Sequence, residues 1–180
     1  MLEVVAQAIG IIAMVFNVFS YQQKNAKRVF LMQMVGSALF GINYFMLGAT
    51  IGGVLNIVAV IRAIVYFNSE KLRANHIGYF ILFTLAYIGS YVLTFTLLEK
   101  PFTLYNALIE LLPVIAMISL NIGFKVGTSK AIRRFGFIAS PCWLSYNICN
   151  FAIGAIICEA ISIVSIFIGM LRHDIKKEEN

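Results

Sequence analysis

The chain has 180 residues, of which 61% are hydrophobic and only 12% are charged, and its formal net charge is +6. Soluble domains are usually about half apolar and about one quarter charged, so this composition excludes an ordinary soluble globular domain. Apolar stretches of about 20 residues recur along the whole length, and each is long enough to cross a hydrocarbon core of about 30 Å. The composition therefore predicts an all-α polytopic membrane protein.

Breaks in hydrophobicity divide the chain into seven predicted transmembrane helices. Helices are expected because a backbone exposed to lipid must satisfy its own hydrogen bonds, and continuous apolar runs do not match the alternating pattern of barrel strands. The N-terminus has no basic region and no small-residue cleavage site before its first apolar run, so we expect this run to be retained rather than removed as a signal peptide. The predicted helices are residues 2–20, 28–47, 50–68, 77–97, 103–122, 132–150 and 154–171.

Basic residues collect in alternate loops of this arrangement. All but two of the fourteen Lys and Arg residues follow the first, third, fifth or seventh predicted helix, and only Lys100 lies on the opposite side. Cytoplasmic loops carry an excess of Lys and Arg, so the pattern predicts a cytoplasmic C-terminus and an N-terminus outside. The same rule explains the positive net charge without a nucleic-acid partner. The loop residues are Lys24, Lys27, Arg28, Lys71, Arg73, Lys125, Lys130, Arg133, Arg134, Arg172, Lys176 and Lys177.

Two parts of the chain are similar at an offset of 103 residues, which relates Ile12 to Ile115 and Phe40 to Trp143. Each copy reads helix, basic loop, helix, short uncharged loop, helix, which predicts an internal repeat; chance similarity of two membrane sequences is the alternative. Three helices reverse the chain direction, so the extra fourth helix gives both copies one orientation. The predicted parts are a three-helix bundle at 1–70, a linker helix at 71–100, a second three-helix bundle at 101–172 and a cytoplasmic tail at 173–180.

The three-plus-one-plus-three order resembles the SWEET, SemiSWEET and PQ-loop transporter superfamily. Gln22 and Gln23 resemble its Pro-Gln loop, with Tyr21 or Gln22 at the proline position. "FGINY" at 40–44 resembles its aromatic stretch in the second helix, and Asn56 in "GVLNIV" resembles its third-helix asparagine. Within that group, the region "YQQKNAKRVFLMQMVGSALFGINYF" is most similar to a bacterial inner-membrane family of YgjV type. The resemblance implies a transporter of a small polar organic solute, such as a sugar or a vitamin.

Polar residues are retained inside six of the seven predicted helices, at spacings that place them on one face of each helix. Such residues are costly in hydrocarbon, so six polar faces predict a shared and partly hydrated interior. Helix packing through the same side chains is the alternative. The polar positions include Gln7, Asn17, Gln33, Ser37, Asn56, Asn106, Glu110, Ser140, Trp143, Asn147, Asn150, Glu159 and Ser162.

The most specific pattern in the sequence pairs an aromatic residue with a polar one in both halves. Phe40 precedes Asn56 by 16 residues, and Trp143 precedes Glu159 by the same interval. Aromatic rings stack on the flat faces of small solutes, and polar side chains bind their hydroxyl groups. The resemblance implies that aromatic and asparagine residues at these places line the substrate cavity. The predicted substrate-binding residues are Phe40, Tyr44, Asn56, Trp143, Asn147 and Glu159.

Arg62, Glu110 and Glu159 are the charged residues predicted to lie well inside helices. A carboxyl group without a fixed partner tends to stay protonated in a medium of low dielectric until water or substrate reaches it. Glu110 or Glu159 is therefore a candidate for coupling transport to protons. A buried ion pair with a structural role is the alternative for the acids, and snorkelling towards the cytoplasmic surface is the alternative for Arg62.

The sequence contains no pattern typical of an enzyme or a metal site. Cys142, Cys149 and Cys158 follow no metal-ligand spacing and are predicted to be packing thiols, and His76 and His173 are predicted to be solvated. There is no nucleotide-binding loop and no catalytic Ser–His or Cys–His spacing. We therefore expect no enzyme activity, no metal and no cofactor. The expected partners are a lipid bilayer and a small solute, and a homo-oligomer is possible. The alternative function is a non-transporting scaffold or receptor.

Overall fold

The computed structural model describes residues 2–46, 50–74, 76–97, 99–149 and 153–175. Within these ranges the chain is all-helical, with eight α-helices, one π-helical turn and no strand. In chain order they are α1 (Leu2–Ser20), α2 (Ala26–Met46), α3 (Thr50–Phe67), α4 (Ser69–Leu72), α5 (Ile77–Thr96), α6 (Leu104–Val126), α7 (Ser129–Cys149), α8 (Ile153–Met170) and the π-helical turn Leu171–Ile175.

All seven predicted stretches form helices, and the short α4 is the additional one. The largest differences in position are at the turn between α6 and α7, because α6 continues to Val126 and α7 already begins at Ser129. Gly127 ends α6 in a left-handed conformation with φ of 72°, which glycine adopts without a steric penalty. Thr103 starts α6, since its hydroxyl accepts the backbone N–H of Asn106 at 3.2 Å. Residues 47 and 150, predicted to end two of the helices, lie outside the described residues.

Four of the helical segments are long and apolar enough to cross a membrane, and α1 and α3 contain shorter apolar stretches. α7 is more polar, because Lys130, Arg133 and Arg134 lie within its 21 residues. Large apolar side chains are exposed along the outer faces of the helices; Leu82, for example, is 59% exposed. This outer surface is suited to contact with lipid rather than water. The four long segments are Ala26–Met46, Ile77–Thr96, Leu104–Val126 and Ala155–Asp174.

The long helices other than α5 pack as two sets of three. α2 packs against both α1 and α3, which form the first set with it, and α7 packs against both α6 and α8, which form the second set. The two sets meet where α1 contacts α8, α2 contacts α7 and α3 contacts α6. α5 packs against α3 and α6, so it touches one helix of each set.

A cluster of aromatic side chains fills the junction between the two sets and α5. The ring centroids of Phe30 on α2 and Phe124 on α6 lie 4.7 Å apart, and the Tyr66 ring of α3 contacts both. Phe83 brings α5 into the same cluster, 6.1 Å from Tyr66. Asn121 adds a polar link, because its Nδ2 donates to the carbonyl of residue 80 at 3.1 Å. This core keeps the two sets of helices in contact on one side of the molecule.

Candidate functional site

A cavity of about 90 Å³ lies between the two sets of helices. Side chains from α1, α2 and α3 line one part of it, and side chains from α6, α7 and α8 line the other. The lining residues are Asn17, Tyr21, Gln33, Ser37, Phe40, Tyr44, Asn56, Ala59, Arg62, Met117, Leu120, Ala139, Ser140, Trp143, Asn147, Ala155, Cys158 and Glu159.

The structure places all six predicted substrate-binding residues in this one cavity. Phe40, Tyr44 and Asn56 come from the first set of helices, whereas Trp143, Asn147 and Glu159 come from the second. Residues related by the 103-residue offset thus share a single space. Arg62 also lines the cavity, and Glu110 does not.

Aromatic rings form part of the cavity wall in both sets. Phe40 and Tyr44 are one helical turn apart on α2, with ring centroids 6.2 Å apart, and Trp143 meets Tyr146 edge to face at 5.9 Å. A Cβ atom at Gly52 would lie 2.9 Å from the Tyr44 ring. The absence of a side chain at this glycine therefore allows the Tyr44 ring to lie directly against the backbone of α3.

Several polar groups in the cavity have free hydrogen-bonding capacity. Asn56 Nδ2 donates to the carbonyl of Gly52 at 2.8 Å, a bond within its own helix, and no described residue donates to its Oδ1. Asn147 is 4% exposed, and its carboxamide has no hydrogen-bond partner among the residues that the structure describes. Buried polar groups are normally hydrogen-bonded, so these amides are available to a polar molecule in the cavity.

The two acidic residues predicted to be buried have different surroundings. Glu110 is 5% exposed and accepts a hydrogen bond from Lys100 Nζ at 2.5 Å, away from the cavity. Glu159 lines the cavity and has no ion-pair partner in the described part of the chain. Glu110 is thus a neutralised buried charge, whereas Glu159 lies where a solute or water can reach it.

Arg62 lies inside the protein and does not snorkel to the surface, because its relative exposure is only 2%. Its Nη1 donates to the carbonyl of Met117 at 3.3 Å, and its guanidinium carbon lies 4.3 Å from the centre of the Phe124 ring. Its Nε is buried without a hydrogen-bond partner among the described residues. The cation is therefore held by a ring and a carbonyl rather than by a carboxylate.

Tyr21 lines the cavity, and the contacts around it join the two sets of helices; we call Tyr21, Gln22, Arg133, Ser165 and Asp174 the Tyr21 network. Gln22 Nε2 donates to the Ser165 carbonyl at 2.6 Å and to its hydroxyl at 2.9 Å. The Arg133 guanidinium forms an ion pair with Asp174 and donates to the carbonyl of Tyr21 at 3.4 Å. These bonds connect the segment after α1 to α7, to α8 and to the π-helical turn.

Two glycines make room for Tyr21 in this network. A Cβ atom at Gly169 on α8 would lie 2.6 Å from the Tyr21 carbonyl oxygen, and one at Gly136 on α7 would lie 2.9 Å from the Tyr21 ring. Tyr21 is 3% exposed. The first and second sets of helices are therefore in direct contact at this end of the cavity.

Three sequence-based expectations are corrected in this region. Arg133 was grouped with the basic loop residues although it lies at the start of the predicted helix 132–150; the structure buries it inside α7 at 3% exposure, where Asp174 neutralises it. His173 was expected to be solvated, but it is half-buried, with Nε2 3.1 Å from the Gln22 carbonyl oxygen. The Gln pair was interpreted as an interfacial helix end, whereas Gln22 joins the two sets. The glycines that accommodate Tyr21 were the only sequence signal for this packing.

The structure also shows the surroundings of the three cysteines and of His76. Cys142, Cys149 and Cys158 are free thiols, and Cys158 is buried in the cavity lining. His76 is exposed and caps α5, since its Nδ1 accepts the N–H of Gly78 at 3.0 Å. Among the described residues, no group of three or more His, Cys, Asp or Glu side chains is arranged to hold a metal ion.

An apolar outer surface around helices that enclose a polar, charged cavity defines a multi-pass helical membrane protein. The chain matches the family model Imp-YgjV, described as a bacterial inner membrane protein, over residues 4–177, and it belongs to that family. It is therefore a multi-pass protein of the bacterial inner membrane. No curated protein and no solved structure matches the chain.

Proposed function

We propose that the protein is a transporter of a small polar organic solute, such as a sugar or a vitamin, which crosses the membrane through the central cavity by alternating access. The gathering of Phe40, Asn56, Trp143 and Glu159 in one cavity between the two sets of helices carries this proposal. Polar and charged groups are costly inside a membrane and commonly mark solute pathways. Aromatic rings beside free amides provide the two kinds of contact that a polar organic solute needs.

The proposal includes a specific architecture, with α1–α3 and α6–α8 as two parallel three-helix bundles and α5 as the linker helix. The packing of each set, the packing of α5 against α3 and α6, and the absence of α5 from the cavity lining support this arrangement. It is also the arrangement implied by the resemblance to the SWEET and PQ-loop transporters. The two bundles would then move as the two halves of an alternating-access carrier.

The proposed orientation places the Tyr21 network at the cytoplasmic end of the cavity, with the N-terminus outside and the C-terminus in the cytoplasm. The basic residues at the α1–α2 turn and at the helix ends that flank the α6–α7 turn support it. Ligand cavities usually measure about 300 Å³ or more, so the cavity of about 90 Å³ would have to widen to hold a solute of the proposed kind. Release of a solute into the cytoplasm then requires the Tyr21 network to separate.

Flux through reconstituted vesicles tests the proposal. The purified protein is placed in vesicles of phosphatidylethanolamine and phosphatidylglycerol, and uptake of labelled sugars, vitamins and small organic acids is measured. For a solute that the wild type moves, Trp143→Ala should lower uptake by a factor of about two to ten, because an aromatic contact is worth about 0.5–1.5 kcal/mol beyond its buried area. Phe137→Ala is the matched control, since Phe137 lies on the same helix but is 43% exposed.

The alternative function predicts a different outcome. A scaffold or receptor would show no uptake of any solute, and both substitutions would act only on stability. That result, obtained with correctly folded protein in sealed vesicles, would contradict transport.

A further inference from the structure

Arg62 is the most deeply buried charged side chain of the cavity lining, and the acids around it do not neutralise it. It is 2% exposed, and no described carboxylate lies within ion-pair distance. Two buried acids already have cationic partners, because Glu110 pairs with Lys100 and Asp174 pairs with Arg133. Glu159 shares the cavity but forms no ion pair with Arg62. Arg62 is therefore a buried positive charge that no described carboxylate contacts, although Glu159 lines the same cavity.

The described residues satisfy the Arg62 guanidinium only in part. The Phe124 ring lies 4.3 Å from the guanidinium carbon, and the Tyr87 ring lies 5.9 Å from it. Rings attract the charge but accept no conventional hydrogen bond along the guanidinium edge. The Nη1 group donates a hydrogen bond to the carbonyl of Met117 at 3.3 Å. The buried Nε has no hydrogen-bond partner in the described ranges.

An arginine edge of this kind matches one ligand chemistry especially well. The planar guanidinium presents parallel N–H groups that bind a carboxylate through two hydrogen bonds. Leaving a buried cation unpaired costs several kcal/mol, so a carboxylate that enters the cavity gains both the charge interaction and the unused donors. A neutral solute satisfies the donors only in part.

We infer that the cavity selects solutes that carry a carboxylate, and that Arg62 binds this group. The inference deepens the proposed function and rests on it. Arg62 lies six residues beyond Asn56 on α3, about 9 Å along the helix, so the carboxylate binds on the Tyr21 side of Asn56. The rest of the solute then lies towards the Phe40 and Trp143 rings, and the narrow cavity favours acids of a few heavy atoms.

Trp143 makes the inference measurable, because it is the only tryptophan of the chain and it lines the cavity. Its fluorescence and the melting temperature of the detergent-solubilised protein are followed while acid and amide are compared at constant ionic strength. The matched pairs are acetate and acetamide, lactate and lactamide, and succinate and succinamide. We expect at least one acid to bind saturably and at least tenfold more tightly than its amide.

Three variants separate a binding role from a structural one. Arg62→Gln should abolish the preference for the acid over its amide, and Arg62→Lys should keep a weaker preference, because the charge remains and the fork is lost. Arg134→Gln removes an exposed cation from α7 and should leave binding unchanged. If Arg62→Gln does not fold, the Arg62→Lys variant and the comparison of acid with amide in the wild type still test the inference.

The inference is overturned if no acid binds better than its amide, or if folded Arg62→Gln keeps the full preference. Its failure is distinguishable from failure of the proposed function. Flux of a neutral sugar that none of the three acids inhibits would support transport and contradict carboxylate selection. Saturable, Arg62-dependent binding of an acid without flux would support carboxylate selection and contradict transport.

Discussion

Glu110 and Glu159 are both acidic residues inside helices, but their neighbours give them different chemistry. The Glu110 carboxylate lies 2.5 Å from Lys100 Nζ, so its charge is neutralised at a fixed place. Glu159 lines the cavity together with Arg62 and the free amides. A carboxyl group in such a position can exchange protons with water that enters with the solute. Glu159 is therefore the proton-coupling residue in the proposed mechanism.

Glu159→Gln should remove the dependence of uptake on a proton gradient, because the amide cannot release a proton. Uptake into vesicles is measured with and without an inward proton gradient. Glu110→Gln is the control: it should keep the gradient dependence and lower the melting temperature, since it leaves Lys100 unpaired. A Glu159→Gln protein that responds to the gradient like the wild type would exclude Glu159 as the coupling site.

Several helices of this protein contact a neighbouring segment at a glycine. Gly169 on α8 lies against the Tyr21 carbonyl oxygen, and Gly52 on α3 lies against the Tyr44 ring. Gly89, in the middle of α5, has no atom within 4 Å of the position that a Cβ atom would take. The glycines therefore differ in function although all lie inside apolar helices.

Gly169→Ala should lower the free energy of unfolding by about 1–3 kcal/mol, because the added methyl group meets a backbone oxygen that cannot rotate away. Gly89→Ala should raise it by about 0.5–1 kcal/mol through helix propensity alone. Both values come from reversible unfolding in detergent. Equal effects of the two substitutions would contradict the close contact of α8 with Tyr21.

The ion pair between Arg133 and Asp174 is the strongest electrostatic link between α7 and the π-helical turn. Both side chains are buried, with 4% and 6% exposure. The ion pair between Lys27 Nζ and Glu70, by contrast, is exposed to solvent, with 2.9 Å between the nitrogen and a carboxylate oxygen. Lys27 holds the pKa of Glu70 below its usual value. The small contribution of this pair to the stability of the fold is therefore lost as the pH falls through that pKa.

Asp174→Asn should lower the free energy of unfolding by about 3 kcal/mol, because it leaves a buried guanidinium without its carboxylate. Glu70→Gln, measured in the same way at neutral pH, should produce no detectable change. A small effect of Asp174→Asn would mean that the carbonyl groups of Tyr21 and Gln23, which also accept from Arg133, are sufficient to hold it.

At the scale of the whole molecule, the sequence predicted the parts of the structure that depend on local pattern. Breaks in hydrophobicity predicted the seven long helices. The polar face of each helix and the 103-residue offset predicted that Phe40 and Trp143 share one cavity, and the structure places both residues there. The Tyr21 network was not predicted, because Gln22 and Ser165 are 143 residues apart and no local pattern connects them. The helix α4 was not predicted either, because four residues are too few to show a hydrophobic period.

Orientation in the membrane is a further property of the whole molecule. An epitope inserted after Gly127 in the full chain should be accessible only in permeabilised cells, and one inserted after Lys100 should be accessible from the outside. The reason is that the α6–α7 connection is flanked by several cations, whereas Lys100 is alone on its side. The reverse accessibility would invert the proposed direction of the Tyr21 network.

The burial of Cys158 in the cavity lining makes this thiol a natural reporter of which end is open. With Cys142 and Cys149 replaced by serine, a small alkylating reagent can modify the protein only after diffusing into the space between the bundles. In the proposed mechanism the intact Tyr21 network blocks the cytoplasmic side, so such a reagent should enter from the opposite end. Loosening the network by Gly169→Ala should then create a second route, so the rate of thiol modification from each side of a vesicle would report the alternating access that we propose.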